Sequence, residues 1–236
     1  MEVQTTRAGT RRPGVRTSYS PSHRPDLLVL RFVGSEVGPH ALAPLANSLS
    51  AYLFGYLNGY KIPTQFVERI DETASLVRRI EMFPLKARIW NVAAGSYAKR
   101  LGVEPGLDLP FPVPEYFYRP GDRPEALVNE FHLLALGAVT PEQLRIINRL
   151  VSKTNAVLRS HLERHGLKLI SVACAFGAVG GQIMLALHDD LDADALLISD
   201  LHVRPSFSPG PFTLDMLHGP ASYRLLHDRL MGREGE

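Results

Sequence analysis

The segment Asn91-Val92-Ala93-Ala94-Gly95-Ser96-Tyr97-Ala98-Lys99-Arg100 holds the residue types that bind an anion. Small side chains let a ligand approach the backbone, and a Gly-Ser pair opening a short helix presents free amides. Lys99 or Arg100 can add charge. The same pattern also describes an ordinary strand-to-helix turn, so it does not by itself define a site. A second cluster, His188-Asp189-Asp190 with Asp192 and Asp194, reads equally as a metal site or as an acidic turn at a strand end. Cys174 lies between Ala173 and Ala175 in a strand-like run, which points its thiol into a core rather than a cleft. His40, His132 and His202 are acid–base types, but one histidine among nine is more often structural. His161 and His165 end a helix, where a cation suits the dipole.

These groups need elements to hold them. Asp26 to Phe32 reads as a buried strand, and Pro39 to Lys61 as a helix with leucines at steps of three and four. Phe66 to Ile70 and Ser75 to Met82 read as paired strands, with Leu85 to Val92 a third. A Pro-rich loop, Glu104 to Pro124, encloses a strand-like Tyr116 to Tyr118. The longest helix runs from Pro141 to His165. Thr140 and Gln143 form a capping box, Pro141 suits the first position, and Gly166 suits the residue beyond the end. Leu167 to Phe176 and Gln182 to Leu187 read as a hairpin joined by Gly177, Gly180 and Gly181. A last helix lies within Phe212 to Leu230. The sum is an α+β protein with two lobes.

Composition sets the limits. The 236 residues suffice for one large core or two lobes sharing a cleft. A net charge of +2 does not indicate nucleic acid or a membrane surface, and its excess sits in the arginines before residue 25. That stretch reads as a solvated tail. No apolar run reaches the ~18 residues of a membrane span. A single cysteine cannot form an internal disulfide, and a cytoplasmic location is expected.

The ordered set Ile62-Pro63-Thr64-Gln65, Leu76 to Met82, Pro84-Leu85, Asn91 to Arg100, Arg119, Val128-Asn129-Glu130 and Phe176-Gly177 resembles the SAICAR synthetase family over about residues 26–200. The resemblance implies a small β-rich lobe (residues 25–92, after a disordered basic tail, 1–24) over a larger α+β lobe (93–236). In the family, ATP and an aminoimidazole ribonucleotide meet in the cleft between the lobes. Positions implied to bind substrate are Trp90, Asn91, Gly95, Ser96, Lys99 and Arg100. Glu125, which stands where the family has an aspartate, and His188, Asp189 and Asp194 are the implied acid–base groups.

The departures are as informative. The family's two phosphate-binding lysines correspond to Gly14 and Arg16. An Asp, a Lys and a Glu that alternate along the strand before Phe176-Gly177 correspond to Ser171, Ala173 and Ala175. Alternation puts all three on one face, so a charged wall has become a small one. Lys86 and Trp90 stand for a glutamate and an arginine. Without those charges phosphoryl transfer is not supported. The expectation is therefore an enzyme of the family repurposed to act on a purine- or imidazole-type ribonucleotide carrying a ribose 5-phosphate. It would need no ATP, no Mg²⁺ and no other cofactor. Related proteins in coformycin- and pentostatin-type pathways suggest nucleoside natural-product biosynthesis. A homodimer is compatible, and nucleic-acid and membrane partners are not expected. The alternatives are a non-catalytic scaffold for another enzyme and a genuine SAICAR synthetase.

Overall fold

The computed structural model describes residues 14–19, 24–33, 42–186, 195–201 and 220–232. Strands β1 (Gly14–Tyr19), β2 (Leu27–Val33), β3 (Phe66–Arg69) and β4 (Ala74–Arg78) form an antiparallel sheet in the order β1-β2-β4-β3. Six more strands form the second sheet: β5 (Glu81–Val92), β6 (Asp108–Tyr118), β7 (Ala126–Val128), β8 (Leu167–Val179), β9 (Gln182–Ala186) and β10 (Leu196–Asp200). Their order is β10-β8-β5-β6-β7, with β9 also on β8. The helices are α1 (Leu42–Gly59), α2 (Gly95–Leu101), α3 (Glu130–Ala135), α4 (Pro141–Arg164) and α5 (Pro220–Met231).

The α+β class holds. Two boundaries differ from the sequence reading. Gly14–Tyr19, placed there in the tail, is a strand paired with β2. Strand β5, grouped with the first lobe in the sequence reading, pairs with β6 and β8 and so belongs to the second sheet. The sheets meet where Thr64 bridges Leu185, and one buried cluster joins Leu30 and Phe32 of the first to Leu85, Ile89 and Val172 of the second. Helix α1 packs on the first sheet and α4 on the second, so their contact couples the two halves.

Local chemistry explains most elements. Helix α4 starts with the capping box at Thr140 and Gln143 and buries Ile147, Leu150, Val151, Leu158 and Leu162. The β8–β9 turn uses Gly180 and Gly181 at φ +56° and +80°, the pair of positive values a tight hairpin requires. Gly177 lies inside β8 instead. A Cβ there would stand 2.5 Å from Ile80 Cδ1 and 2.9 Å from the Glu81 carbonyl oxygen, so β5 could not pass. The Pro-rich segment is a strand, β6. Pro110, Pro112 and Pro114 alternate, so the missing donors fall on one side of the strand, and β7 pairs only Tyr116–Tyr118.

At the α1–α4 contact, the Tyr52 hydroxyl lies 3.1 Å from His161 Nε2, and Tyr56 stacks on the ring at 3.9 Å. Burial pushes His161 down to about 4, with His165 and Arg164 adding repulsion. The fold therefore holds His161 neutral, while the unfolded chain takes up a proton below its ordinary value near 6.5. Between those two values the unfolded state binds more protons, so stability falls as pH falls, by about 1.4 kcal/mol per unit for this group. His161→Phe should flatten the melting-temperature profile between pH 6.5 and 4. An unchanged slope would show that this histidine does not set the acid sensitivity.

Candidate functional site

Strand β5 presents two chemistries. Leu85, Ala87 and Ile89 enter the main core, and Lys86, Arg88 and Trp90 face the other way. Across β8 these three oppose Ala175, Ala173 and Ser171. Across β6 they oppose Phe117, Glu115 and Val113. The floor of the site is thus a row of two cations and an indole between small residues on one side and a single carboxylate on the other.

That floor is tied together. Arg88 Nη1 donates to Ser171 Oγ at 3.0 Å, and its guanidinium lies 5.5 Å from the centre of the Trp90 ring. Trp90 Nε1 donates to Glu115 Oε2 at 2.9 Å, while Arg100 pairs with the other carboxylate oxygen. The bonds to this carboxylate are charge-assisted and belong to the strong class. Trp90 also packs on Tyr97 of α2, with ring centres 5.4 Å apart, in a small cluster separate from the main core. Lys86 Nζ lies 3.7 Å from Glu125 Oε2.

Helix α2 opens above this floor. Ala94 at its start offers no side-chain hydrogen bond, and Gly95 adopts φ +48°, where a side chain would strain the backbone. The helix is held by Ala93, whose amide donates to the Leu107 carbonyl, and it ends at Gly102 in the left-handed conformation.

A cavity of about 510 Å³ collects these groups. Lys86, Arg88, Trp90, Gly95, Ser96 and Glu125 line it. A second cavity of about 370 Å³ adjoins it, walled by Met82, Phe83 and Arg119 and sharing Lys86, Glu125 and Ala175. Of the residues expected from sequence, Trp90, Gly95, Ser96 and Glu125 therefore come together. Asn91 does not. Its amide exchanges two hydrogen bonds, at 2.8 and 2.9 Å, with Asn155 of α4 on the opposite face. Arg100 is held by Glu115, and Lys99 is exposed outside the cavity. His188, Asp189 and Asp194 lie outside the described residues. Among the described residues no group of three or more His, Cys, Asp or Glu is placed to hold a metal ion.

Arg88 and Glu115 were missed as site residues. Alternation alone finds Arg88, since Lys86 and Trp90 flank it two residues away on each side. Glu115 had no local signal, because its role comes from cross-strand pairing with β5. Cys174 lies in the main core, where burial pushes its thiol up to about 12 and leaves it inert. No helix among the described residues is long and apolar enough to cross a membrane.

Comparison with known proteins agrees with this geometry. The family model for SAICAR synthetase matches residues 43–198. The chain is 33% identical over 186 residues to phosphoribosylaminoimidazole-succinocarboxamide synthase of Clostridium perfringens, covering 79% of this chain and 78% of that one. It is 35% identical over 184 residues to the synthase of Desulfitobacterium hafniense, covering 78% and 76%. The fold matches SAICAR synthetase from Pyrococcus horikoshii OT3 with a TM-score of 0.77 at 23% identity, covering 93% and 99%. The chain belongs to the SAICAR synthetase family.

Trp90 is the sole tryptophan, so its emission reports on the site alone. Glu115→Ala removes the partner of both the indole N–H and Arg100. It should shift the emission to longer wavelength, raise quenching by acrylamide, and cost about 1–3 kcal/mol of stability. Unchanged emission would mean that Glu115 does not position the indole.

Proposed function

We propose that this SAICAR synthetase-like chain binds a purine- or imidazole-type ribonucleotide in the cleft and transforms it by acid–base chemistry without ATP, in a nucleoside pathway of the coformycin or pentostatin type. The observation that carries the reading is the β8 wall. Ser171, Ala173 and Ala175 stand opposite Trp90, Arg88 and Lys86, so the three β8 positions paired with this row carry neither lysine nor carboxylate. Magnesium-bound triphosphate needs a carboxylate for the metal and cations on the phosphates, in fixed positions. A monophosphate needs only cations and amides.

The 5′-phosphate is assigned to the first turn of α2. Gly95 and Ser96 line the cavity there, Ala94 supplies no side-chain cap, and Lys86 and Arg88 bring charge from the floor. The Trp90 indole, carrying Arg88 over its ring, offers a flat surface to a heterocycle. Glu125 lies within ion-pair reach of Lys86 and can take or return a proton at Oε2. Asp189, Asp194 and His188 are the remaining acid–base candidates. In this reading the homologous synthases share the nucleotide-binding cleft, and the ligation chemistry differs.

Genuine SAICAR synthesis is the competing reading, favoured by 33% identity across 78% of a synthase's length. Two experiments separate them. Expression in a purine auxotroph lacking SAICAR synthetase should give no growth, and growth would overturn the proposal. Incubation with a nucleotide pool from the native producer should yield a product without added ATP. Glu125→Gln, Asp189→Asn and Asp194→Asn should include at least one variant slowed by ~10²–10⁴. If wild type yields no product, or all three variants match it, a scaffold role replaces the enzyme.

A further inference from the structure

Ser171 sits in the middle of β8, with its backbone paired to Trp90 on β5 and to Leu197 on β10. Its side chain is fully buried, so a ligand in the cleft cannot reach the hydroxyl. A buried hydroxyl needs a protein partner. It has one in Arg88, whose Nη1 donates to Ser171 Oγ at 3.0 Å.

This bond is diagonal. The residue directly opposite Arg88 on β8 is Ala173, and Ser171 lies two residues along, opposite Trp90. Diagonal partners across antiparallel strands stand about 7–8 Å apart, a distance that a long side chain spans where its direct neighbour leaves room. Ala173 leaves that room with a single methyl. Arg88 therefore leans past Ala173 and brings its guanidinium level with Trp90, 5.5 Å from the ring centre.

The two ends of the β5 row differ, so the direction of that lean has a consequence. At one end Lys86 and Glu125 form an ion pair. At the other, Trp90 packs on Tyr97 of α2, beside the Gly95-Ser96 turn that lines the cavity. Lys86 and Trp90 are four residues apart, about 13 Å along a strand. An arginine halfway between them can turn to either end. The hydroxyl and the indole face hold it at the α2 end.

We propose that Ser171 is a positioning residue that holds the Arg88 guanidinium toward the first turn of α2, so that arginine and helix start meet the same anionic group of the ligand. This role rests on the reading that the cleft takes a ribonucleotide phosphate at that turn. Ser171 touches no ligand and acts only through the arginine. A guanidinium fixed before binding loses less freedom when the anion arrives.

The test is calorimetric titration of the full chain with ribose 5-phosphate, the anionic part common to purine and imidazole ribonucleotides. Ser171→Ala should weaken binding roughly 5- to 30-fold, the effect of losing one charge-assisted hydrogen bond. Without ligand, the same variant should change the Trp90 emission as the cation leaves the ring. Ser171→Thr keeps the hydroxyl and should restore both affinity and emission, although it adds bulk at a fully buried position. Should Ser171→Ala fail to fold by circular dichroism, Ser171→Cys, close in size and a weak acceptor, takes its place with the same expectation. Binding by wild type that the Ala or Cys variant leaves unchanged, or a Thr variant as weak as either, overturns the positioning role alone. No binding of ribose 5-phosphate by wild type overturns it together with the phosphate site.

Discussion

The period of two along β5 is the constraint on which the site depends. Because β5 is paired on both edges, by β6 and by β8, its side chains have only two directions open to them. Leu85, Ala87 and Ile89 bind the sheet to the main core, which fixes where Lys86, Arg88 and Trp90 must point. A slip of one residue would bury two cations in that core and expose three apolar side chains. The core thus holds the cations at the cleft, and the chemistry of the floor follows from packing on the other face. Gly177 protects this pairing, since a side chain there would collide with Ile80 and the Glu81 backbone.

Glu115 shares its carboxylate between β5 and α2. One oxygen accepts from the Trp90 indole and the other pairs with Arg100, so the floor and the helix that opens over it are fixed together. The arginine that looked available for a phosphate is therefore part of the framework. Charge in the cleft comes instead from Lys86 and Arg88, side chains that emerge from a rigid strand rather than a helix end. Placing ligand-facing cations on a strand limits their reach and favours one geometry.

Residues with a local signature were legible in the sequence. The capping box at Thr140, the hydrophobic stripe of α4 and the glycine pair after β8 each encode their element within a few residues. Elements defined by distant partners were not. The prolines of β6 suggested a loop, yet alternation lets that strand keep its ladder with β5. Helix α3 was unread because its cap, Asn129 with His132, lacks the usual Glu or Gln at the third position. The site shows the same division. Trp90 and Asn91 were both assigned to the ligand, although adjacent strand residues face opposite ways, and Asn91 serves Asn155 of α4. The family resemblance located the cleft through its ordered motifs. It carried no information about Glu115, whose role arises from the pairing of β6 with β5.

The central claim is that the β5 floor binds a ribonucleotide monophosphate and does not depend on ATP. Titration of Trp90 emission tests it most directly, with ribonucleoside 5′-monophosphates of purine and aminoimidazole bases added in the presence and absence of ATP-Mg²⁺. The account predicts a saturable change for at least one monophosphate, lost in Arg88→Ala and unaltered by millimolar ATP-Mg²⁺. A monophosphate response that appears only with ATP-Mg²⁺, or one that Arg88→Ala leaves intact, would contradict it.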